Sequence, residues 1–234
     1  MNNEVFQTRE IVTTSDGSHT LRNQFGSTYH SVHGAVSESA HVFIQAGLHY
    51  ILTHKNTASV LEIGFGTGLN AFMTYLYAQQ TQKNIRYTTC EAYPLLPHEV
   101  KELNYAEQLG APTEQPIFQY LHTANWDCEI PVAPFFKFTK QLLKFENISY
   151  QNEFDIIYFD AFEPEAQPEL WTHNMLQIMY NALVPQGVLV TYCAKGVVKR
   201  TLKAVGFSIE TLAGPPGKRE MTRATKTEAL PTLL

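Results

Sequence analysis

The stretch Val60-Leu61-Glu62-Ile63-Gly64-Phe65-Gly66-Thr67-Gly68-Leu69-Asn70 constrains this chain more than any other: an apolar run ends in three alternate glycines and then opens into a helical pattern. It reads as a strand, a tight turn and a helix start. Glycine tolerates positive φ and has no Cβ, so main-chain N–H groups in such a turn can approach a ligand while the helix points its positive end at the same spot. A nucleotide-like ligand fits that description. The phosphate-loop pattern G-x-x-x-x-G-K-[ST] is absent, and the third glycine is misplaced for G-x-G-x-x-G. An NTPase is disfavoured, and a NAD-dependent oxidoreductase is the weakest fit.

With 234 residues and 44% apolar content, the chain has room for one α/β domain with additions. No apolar run approaches the ~20 residues that cross a bilayer, and Met1-Asn2-Asn3-Glu4 lacks a basic-then-apolar start. The expectation is a cytoplasmic protein with no membrane partner. Cys90, Cys128 and Cys193 form no C-x-x-C pair, which argues against zinc and against a disulfide framework and predicts reduced core residues. Net charge is −5, yet residues 191–234 carry eight Lys or Arg against three Glu, so this end is basic and the remainder acidic. One end of the chain could face phosphates.

In chain order, Glu10–Thr14 and Ser18–Asn23 flank Asp16-Gly17 and predict a β-hairpin. Residues 25–38 read as an ordered loop, with Ser37 as cap of a helix from Glu38 to Thr53. His30 and His33 lack a third ligand at useful spacing, so no metal is expected. Leu69–Gln80 continues the glycine turn as a helix, and Ile85–Cys90 is a strand ending at Glu91. An acid at that strand end, ~20 residues past the glycines, is placed to accept two hydrogen bonds from a ribose diol. A helix is expected over Leu95–Leu109, irregular chain over 110–134, a strand over Phe135–Phe138 and a short helix over Thr139–Phe145. Phe154–Asp160 reads as a buried strand ending in a carboxylate at the sheet's carboxyl edge, where open α/β sheets bind ligands.

Pro168 opens a helix to Leu183, Pro185-Gln186-Gly187 turns the chain, and Val188–Cys193 is the next strand. A helix over Val197–Ala204 and strands over Phe207–Leu212 and Arg219–Thr225 complete the pattern. The last two strands are joined by a loop, 213–218, with no crossover helix, so the final strand should run antiparallel. The division expected is a hairpin, loop and helix extension over 1–54 packed on the core, a main domain over 55–226, and a disordered tail over 227–234.

Three blocks now converge. Glu62–Asn70 (EIGFGTGLN), Tyr158–Trp171 (YFDAFEPEAQPELW) and Gly217–Met221 (GKREM) resemble the MnmC/MnmD-like methyltransferases that finish 5-methylaminomethyl-2-thiouridine at the tRNA wobble position. Phe25, Tyr29, Ser31, Gly34, Glu38, Val42 and Phe43 follow that family's F-x-x-x-Y-x-S…G…E…V-F segment. The similarity covers roughly residues 10 to 225. It implies a class I fold dependent on S-adenosyl-L-methionine (SAM), with a Rossmann-like seven-stranded sheet, the last strand antiparallel, and an N-terminal β-hairpin extension. Many relatives carry a fused flavin-dependent oxidase; the resemblance here is to the free-standing form, with no FAD. One departure is that the Gly-Asp that relatives carry after the third strand is missing around Lys137–Lys140, so no adenine contact is assigned.

By this resemblance, the methyl of SAM goes to the primary amine of an aminomethyl-uridine in the tRNA anticodon. Asp160 would orient and deprotonate the amine, and Phe162 would wall the transfer channel. Glu62, Gly64, Phe65, Gly66, Thr67, Gly68, Asn70, Glu91 and Asp160 would serve the cofactor, with Glu62 ordering the loop and Glu91 on the ribose. Tyr29 and Glu38 would cover the pocket or contact the target base and Pro164 would lie on the substrate side, while Lys199, Arg200, Lys218 and Arg219 would meet anticodon-stem phosphates. A monomer or weak homodimer is expected. Two alternatives stay open: an aminopropyltransferase-like enzyme on the same sheet, or a noncatalytic RNA-binding module.

Overall fold

The computed structural model describes residues 9–227. The expected tail lies outside the described residues except for Thr227. Strands β1 (Arg9–Thr13) and β2 (His19–Asn23) pair antiparallel as a separate hairpin. Its turn acid does more than turn the chain. Asp16 Oδ2 accepts the backbone N–H of Ser37 at 2.9 Å and its hydroxyl at 2.8 Å. An N-terminal N–H of the next helix is therefore satisfied from outside, and that helix, α1, begins at Ala35 and runs through residues 35–52. Ser37 is not its cap. The middle of α1, Ala40–His49, is π-helical.

The main sheet contains β3 (Thr57–Ile63), β4 (Asn84–Glu91), β5 (Glu129–Ala133), β6 (Phe136–Leu142), β7 (Phe154–Phe159), β8 (Leu183–Thr191), β9 (Phe207–Ala213) and β10 (Glu220–Lys226). Their order is β5-β6-β4-β3-β7-β8-β10-β9. The pairs from β6 through β8 are parallel, and β10 is antiparallel to both neighbours, as the short 213–218 connection requires. The sheet has eight strands where seven were expected, because β5 adds an antiparallel edge to β6.

Alternate residues of the central strands feed two cores. Val60, Tyr87, Ile156 and Tyr158 pack on the face covered by α1, α2 (Leu69–Thr81) and α3 (Gln115–Thr123). Leu61, Ile63, Ile157 and Phe159 pack on the face covered by α4 (His173–Ala182) and α5 (Gly196–Val205). Helix α1 lies close on the sheet at Gly47, where a Cβ would stand 3.0 Å from Val190 and 3.3 Å from Tyr158.

Several local expectations are corrected. The 95–109 helix is two short pieces, Pro97–Lys101 and Tyr105–Gln108. Between them Asn104 is committed to the hairpin, donating to the Gly17 carbonyl and accepting the His19 N–H. The stretch 110–134 is not irregular, since it holds α3 and β5. In place of a helix over 139–145, β6 continues to Leu142, with a 3₁₀ turn at Phe145–Asn147. Pro168–Trp171 is a separate 3₁₀ turn before α4, whose N-cap is Thr172, and β8 starts early, at Leu183. Cys90 and Cys193 are buried, but Cys128 is exposed.

Candidate active site

Strands β3 and β7 are parallel neighbours, and the chain leaves them in opposite directions across the sheet, through β4 and β6 on one side and β8 on the other. Such a switch point opens a crevice at the strands' carboxyl ends. Gly64 follows β3 and Asp160 follows β7, so both sit at its mouth. The glycine turn is built as its residues demand: Gly64, Gly66 and Gly68 all have positive φ, at 90°, 48° and 74°. A Cβ on Gly66 would stand 3.0 Å from the Tyr29 ring, and one on Gly68 would stand 2.7 Å from His122.

The resulting cleft holds about 1630 Å³. Its wall includes Gly64, Phe65, Gly66, Thr67 and Glu91 on the glycine-loop side. Tyr29, Glu38, Asp160, Phe162, Lys218 and Arg219 also line it. Tyr29 and Phe162 meet edge to face at 5.1 Å. These predicted residues are therefore brought together; Glu62, Gly68, Asn70, Pro164, Lys199 and Arg200 are not on the wall.

Most of these departures have a physical reason. Glu62 lies beneath the loop, fully buried, and neither of its oxygens has a hydrogen-bond partner. Burial raises its carboxyl well above the usual range, with Asp160 adding to the rise; Thr89, Tyr87 and Asn70 face it and damp the shift without closing a bond. The loop is instead held by Glu91, whose Oε2 accepts the Gly66 N–H at 2.9 Å while Oε1 accepts those of Ala92 and Tyr93. Gly68 caps α2 in the left-handed region and makes room for His122. Asn70 turns to the acid, donating from Nδ2 to Asp160 Oδ2 at 2.8 Å.

The basic residues divide. Lys218 does not reach outward: its Nζ meets Glu38 Oε1 at 2.7 Å and lies 3.7 Å from the Tyr192 ring centroid. Lys199, on α5, is paired at 3.0 Å with Glu220, which lines the cleft, but is not itself on the wall. Arg200 and Arg219 are exposed and form no ion pair with a described residue, and of the two only Arg219 is at the cleft.

Asp160 is the acid at the centre. Its side chain is 8% exposed, and burial pushes its carboxyl up to about 7. Glu38 adds to the rise, while the Asn70 hydrogen bond and Lys218 oppose it. A carboxyl poised near neutrality in a cleft can take or give a proton at physiological pH. The sequence reading missed two of its neighbours. Tyr192 donates its hydroxyl hydrogen to the Ala161 carbonyl at 2.9 Å and carries Lys218 on its ring. His30, considered only as a metal ligand, is buried between Thr67 and Asp160. Neither carried a motif; only proximity in the fold identifies them. Among the described residues, no group of three or more His, Cys, Asp or Glu side chains could hold a metal, and no helix is long and apolar enough to cross a membrane.

Residues 98–227, more than half of the chain, match the family model described as "S-adenosyl-L-methionine-dependent methyltransferase". The chain belongs to that family. Its methyl donor is SAM, and the open glycine cradle with the cleft beside it fits such a group. Among curated relatives, this methyltransferase is 27% identical over 210 residues to the tRNA 5-methylaminomethyl-2-thiouridine biosynthesis bifunctional protein MnmC of Marinomonas sp. (strain MWYL1), covering 86% of this chain and 31% of the relative. It is also 27% identical over 228 residues to the protein of the same name from Aeromonas hydrophila, covering 90% and 34%. The chain thus spans about a third of the length of the curated relatives it matches. Among solved structures it is similar to MNMC2 from Aquifex aeolicus, with a TM-score of 0.77 and 23% identity over 98% of this chain and 73% of that one. Spermidine synthase from Thermotoga maritima follows at 0.57 and 16%, covering 96% and 71%. Both likenesses establish the fold.

Proposed function

We propose that this methyltransferase converts 5-aminomethyl-(2-thio)uridine to 5-methylaminomethyl-(2-thio)uridine at the wobble position of tRNA. One observation carries the chemistry: a buried carboxyl, Asp160, poised near pH 7 on the cleft wall beside the glycine loop. The names of the two curated relatives support the choice of RNA nucleoside.

When bound, SAM supplies a methyl already activated by a sulfonium. Gly64 and Gly66, lacking a Cβ, would let the loop pass close against it, and Glu91, which takes the Gly66 N–H, keeps that loop in shape. The protein's remaining task is alignment and proton handling. Alignment of reacting groups alone is worth roughly 7–11 kcal/mol. An alkylamine arrives as an ammonium without a free electron pair, so Asp160 takes its proton. The nitrogen lone pair then forms the N–C bond as the C–S bond breaks, and the electron pair of that bond stays on sulfur. Lys218 favours this order twice. Its charge opposes an ammonium in the cleft, and its pairing with Glu38 limits how far Glu38 raises Asp160. Phe162 and Tyr29 form an apolar wall beside the acid.

Of the four predicted cations, Arg219, exposed on the cleft lining and without an ion pair to a described residue, is the one placed for a backbone phosphate. Arg219→Glu should weaken tRNA binding and lower its salt slope by about 1. An unchanged slope would move the RNA elsewhere.

The deciding experiment uses purified protein, labelled SAM and tRNA from a strain lacking the final modification step. Label should appear in the wobble nucleoside as a methylamine. If the protein labels no tRNA but, given decarboxylated SAM, transfers its aminopropyl group to a small polyamine with release of the thioether, the aminopropyltransferase-like reading replaces this one.

A further inference from the structure

His30 joins the two halves of the cleft. It follows Tyr29 in the loop after β2, where its backbone N–H donates to Thr20 Oγ1 at 3.0 Å. The side chain is 5% exposed. Nε2 lies 2.7 Å from Thr67 Oγ1 in the glycine turn. Nδ1 lies 3.9 Å from Asp160 Oδ2 and has no hydrogen-bond partner. Burial pushes the imidazole down to about 4, so the ring is neutral and bears one hydrogen.

The neighbours select which nitrogen bears it. With the hydrogen on Nε2, Nδ1 would turn a lone pair toward an ionised Asp160. With it on Nδ1, the Thr67 hydroxyl donates to Nε2, and the hydrogen sits on the nitrogen that lies 3.9 Å from Oδ2. A buried polar atom left unpaired costs roughly 1–3 kcal/mol. A shift of about 1 Å on ionisation of Asp160 would bring the pair to ordinary hydrogen-bond length and remove that cost. Asn70 already donates to the same oxygen at 2.8 Å. Oδ2 would then be held by two donors, leaving Oδ1 for the amine.

We propose that His30, in its Nδ1–H form and fixed by Thr67, is a positioning residue that completes the hydrogen bonding of the Asp160 carboxylate and so aims its free oxygen at the substrate amine. The inference rests on Asp160 as the proton acceptor of the proposed reaction. The other titratable groups around this pair are Glu38 on α1, Lys218 before β10, Asp16 at the hairpin turn and Glu62 on β3. The phenols of Tyr87, Tyr105 and Tyr192 are all raised by burial and stay neutral.

The test is the pH profile of kcat at saturating SAM and tRNA, with the imidazole tautomer read by ¹⁵N NMR on the unreacted protein. Loss of a donor to the carboxylate makes the acid easier to protonate, so His30→Phe should move the acid limb up by about one unit. That is about a tenfold loss of kcat at pH 6 and less than about twofold at pH 9. Thr67→Val should move it the same way by less, and His30→Asn, which keeps a donor near Nδ1, should restore most of the wild-type profile. S-adenosylhomocysteine affinity serves as the folding control. An unmoved limb in His30→Phe, or a spectrum with the hydrogen on Nε2, overturns the proposal. If His30→Phe does not fold, His30→Asn and the wild-type spectrum still decide. Wild-type protein that labels no tRNA would sink the function instead, while the spectrum would still read the tautomer.

Discussion

Gly64–Thr67 and Asp160 line a single cleft as neighbours at the ends of paired strands, yet the two parts are made from different materials. The glycine side is backbone: three positive-φ residues within five positions, stitched by Gly64 N–H to the Cys90 carbonyl and Gly68 N–H to that of Phe65. The acid side is side chains gathered from across the chain. Lys218 pairs with Glu38 from 180 residues away, and Asn70 reaches Asp160 across 90. A backbone site is rigid and specified locally, which suits a donor used without variation. A side-chain site is specified by the whole fold, and its charges interact, which suits a group that must change protonation in each cycle.

If the two sides are separable, damage to one should spare the other. The largest effect is expected for Asp160→Asn. Methyl transfer should fall by about 10²–10⁴-fold, the usual worth of a general base, while S-adenosylhomocysteine affinity stays within about twofold. The same variant should be more stable. Asp160 holds its proton more tightly folded than unfolded, so its contribution to stability falls as pH rises from about 4 through about 7. The variant should therefore gain about 1 kcal/mol or more at pH 8, some 2–4 °C in Tm, and nothing at pH 4. Equal melting curves at pH 8 would mean that the carboxyl is not strained in the folded protein.

Gly66→Val is the mirror experiment. At φ 48° and with a Cβ 3.0 Å from Tyr29, a β-branched residue is strained by ~2 kcal/mol and crowds the cradle. Donor affinity should drop about tenfold or more, with the pH profile of the residual activity unchanged. A shifted profile would show that the two sides are coupled through Tyr29. Lys218→Met should do the reverse at smaller scale. It leaves Glu38, 5% exposed, without its cation, so Asp160 becomes easier to protonate, and kcat at pH 7 should fall about three- to tenfold with donor affinity intact. Adding Glu38→Gln should recover part of the loss; a further loss would make Glu38 a direct substrate contact.

This division also decides what could be read from the sequence. The β3 turn, the β4 acid and the β7 acid were legible because each is a strand end with a local pattern. Lys218 reads as a surface cation in the sequence because its partner Glu38 is 180 residues away and is supplied only by the fold. Helix α3 was hidden by Pro112 and Pro116, which look like breakers, although Pro116 occupies the first turn, where proline is tolerated. Strand β5 was hidden by Pro131, which an edge strand accepts beside its bulge. The length of β6 was masked by Lys140, a charged residue in an inward position. Its side chain is buried, donates to the His122 carbonyl and lies over Trp126, and burial pushes its amine down to about 8.

The hairpin bears on the acid side without touching the chemistry, and its effect should be the smallest. Burial favours the neutral form of Asp16, but hydrogen bonds from Ser18, Ser37 and Thr14 outweigh it and hold the carboxyl well below its ordinary range. Those bonds tie the hairpin turn to the start of α1, three residues before Glu38. Asp16→Asn should therefore cost about 1 kcal/mol at pH 7, the usual value of such a helix-end contact, and lower kcat by no more than about twofold. A group with a depressed folded pKa contributes stability above its unfolded value, near 4, and loses it as pH falls below that. The gap in Tm between wild type and Asp16→Asn should thus be full at pH 6 and close toward pH 2. A gap that persists in acid would mean that the turn geometry, not the carboxylate charge, is what seats α1 and brings Glu38 to Lys218.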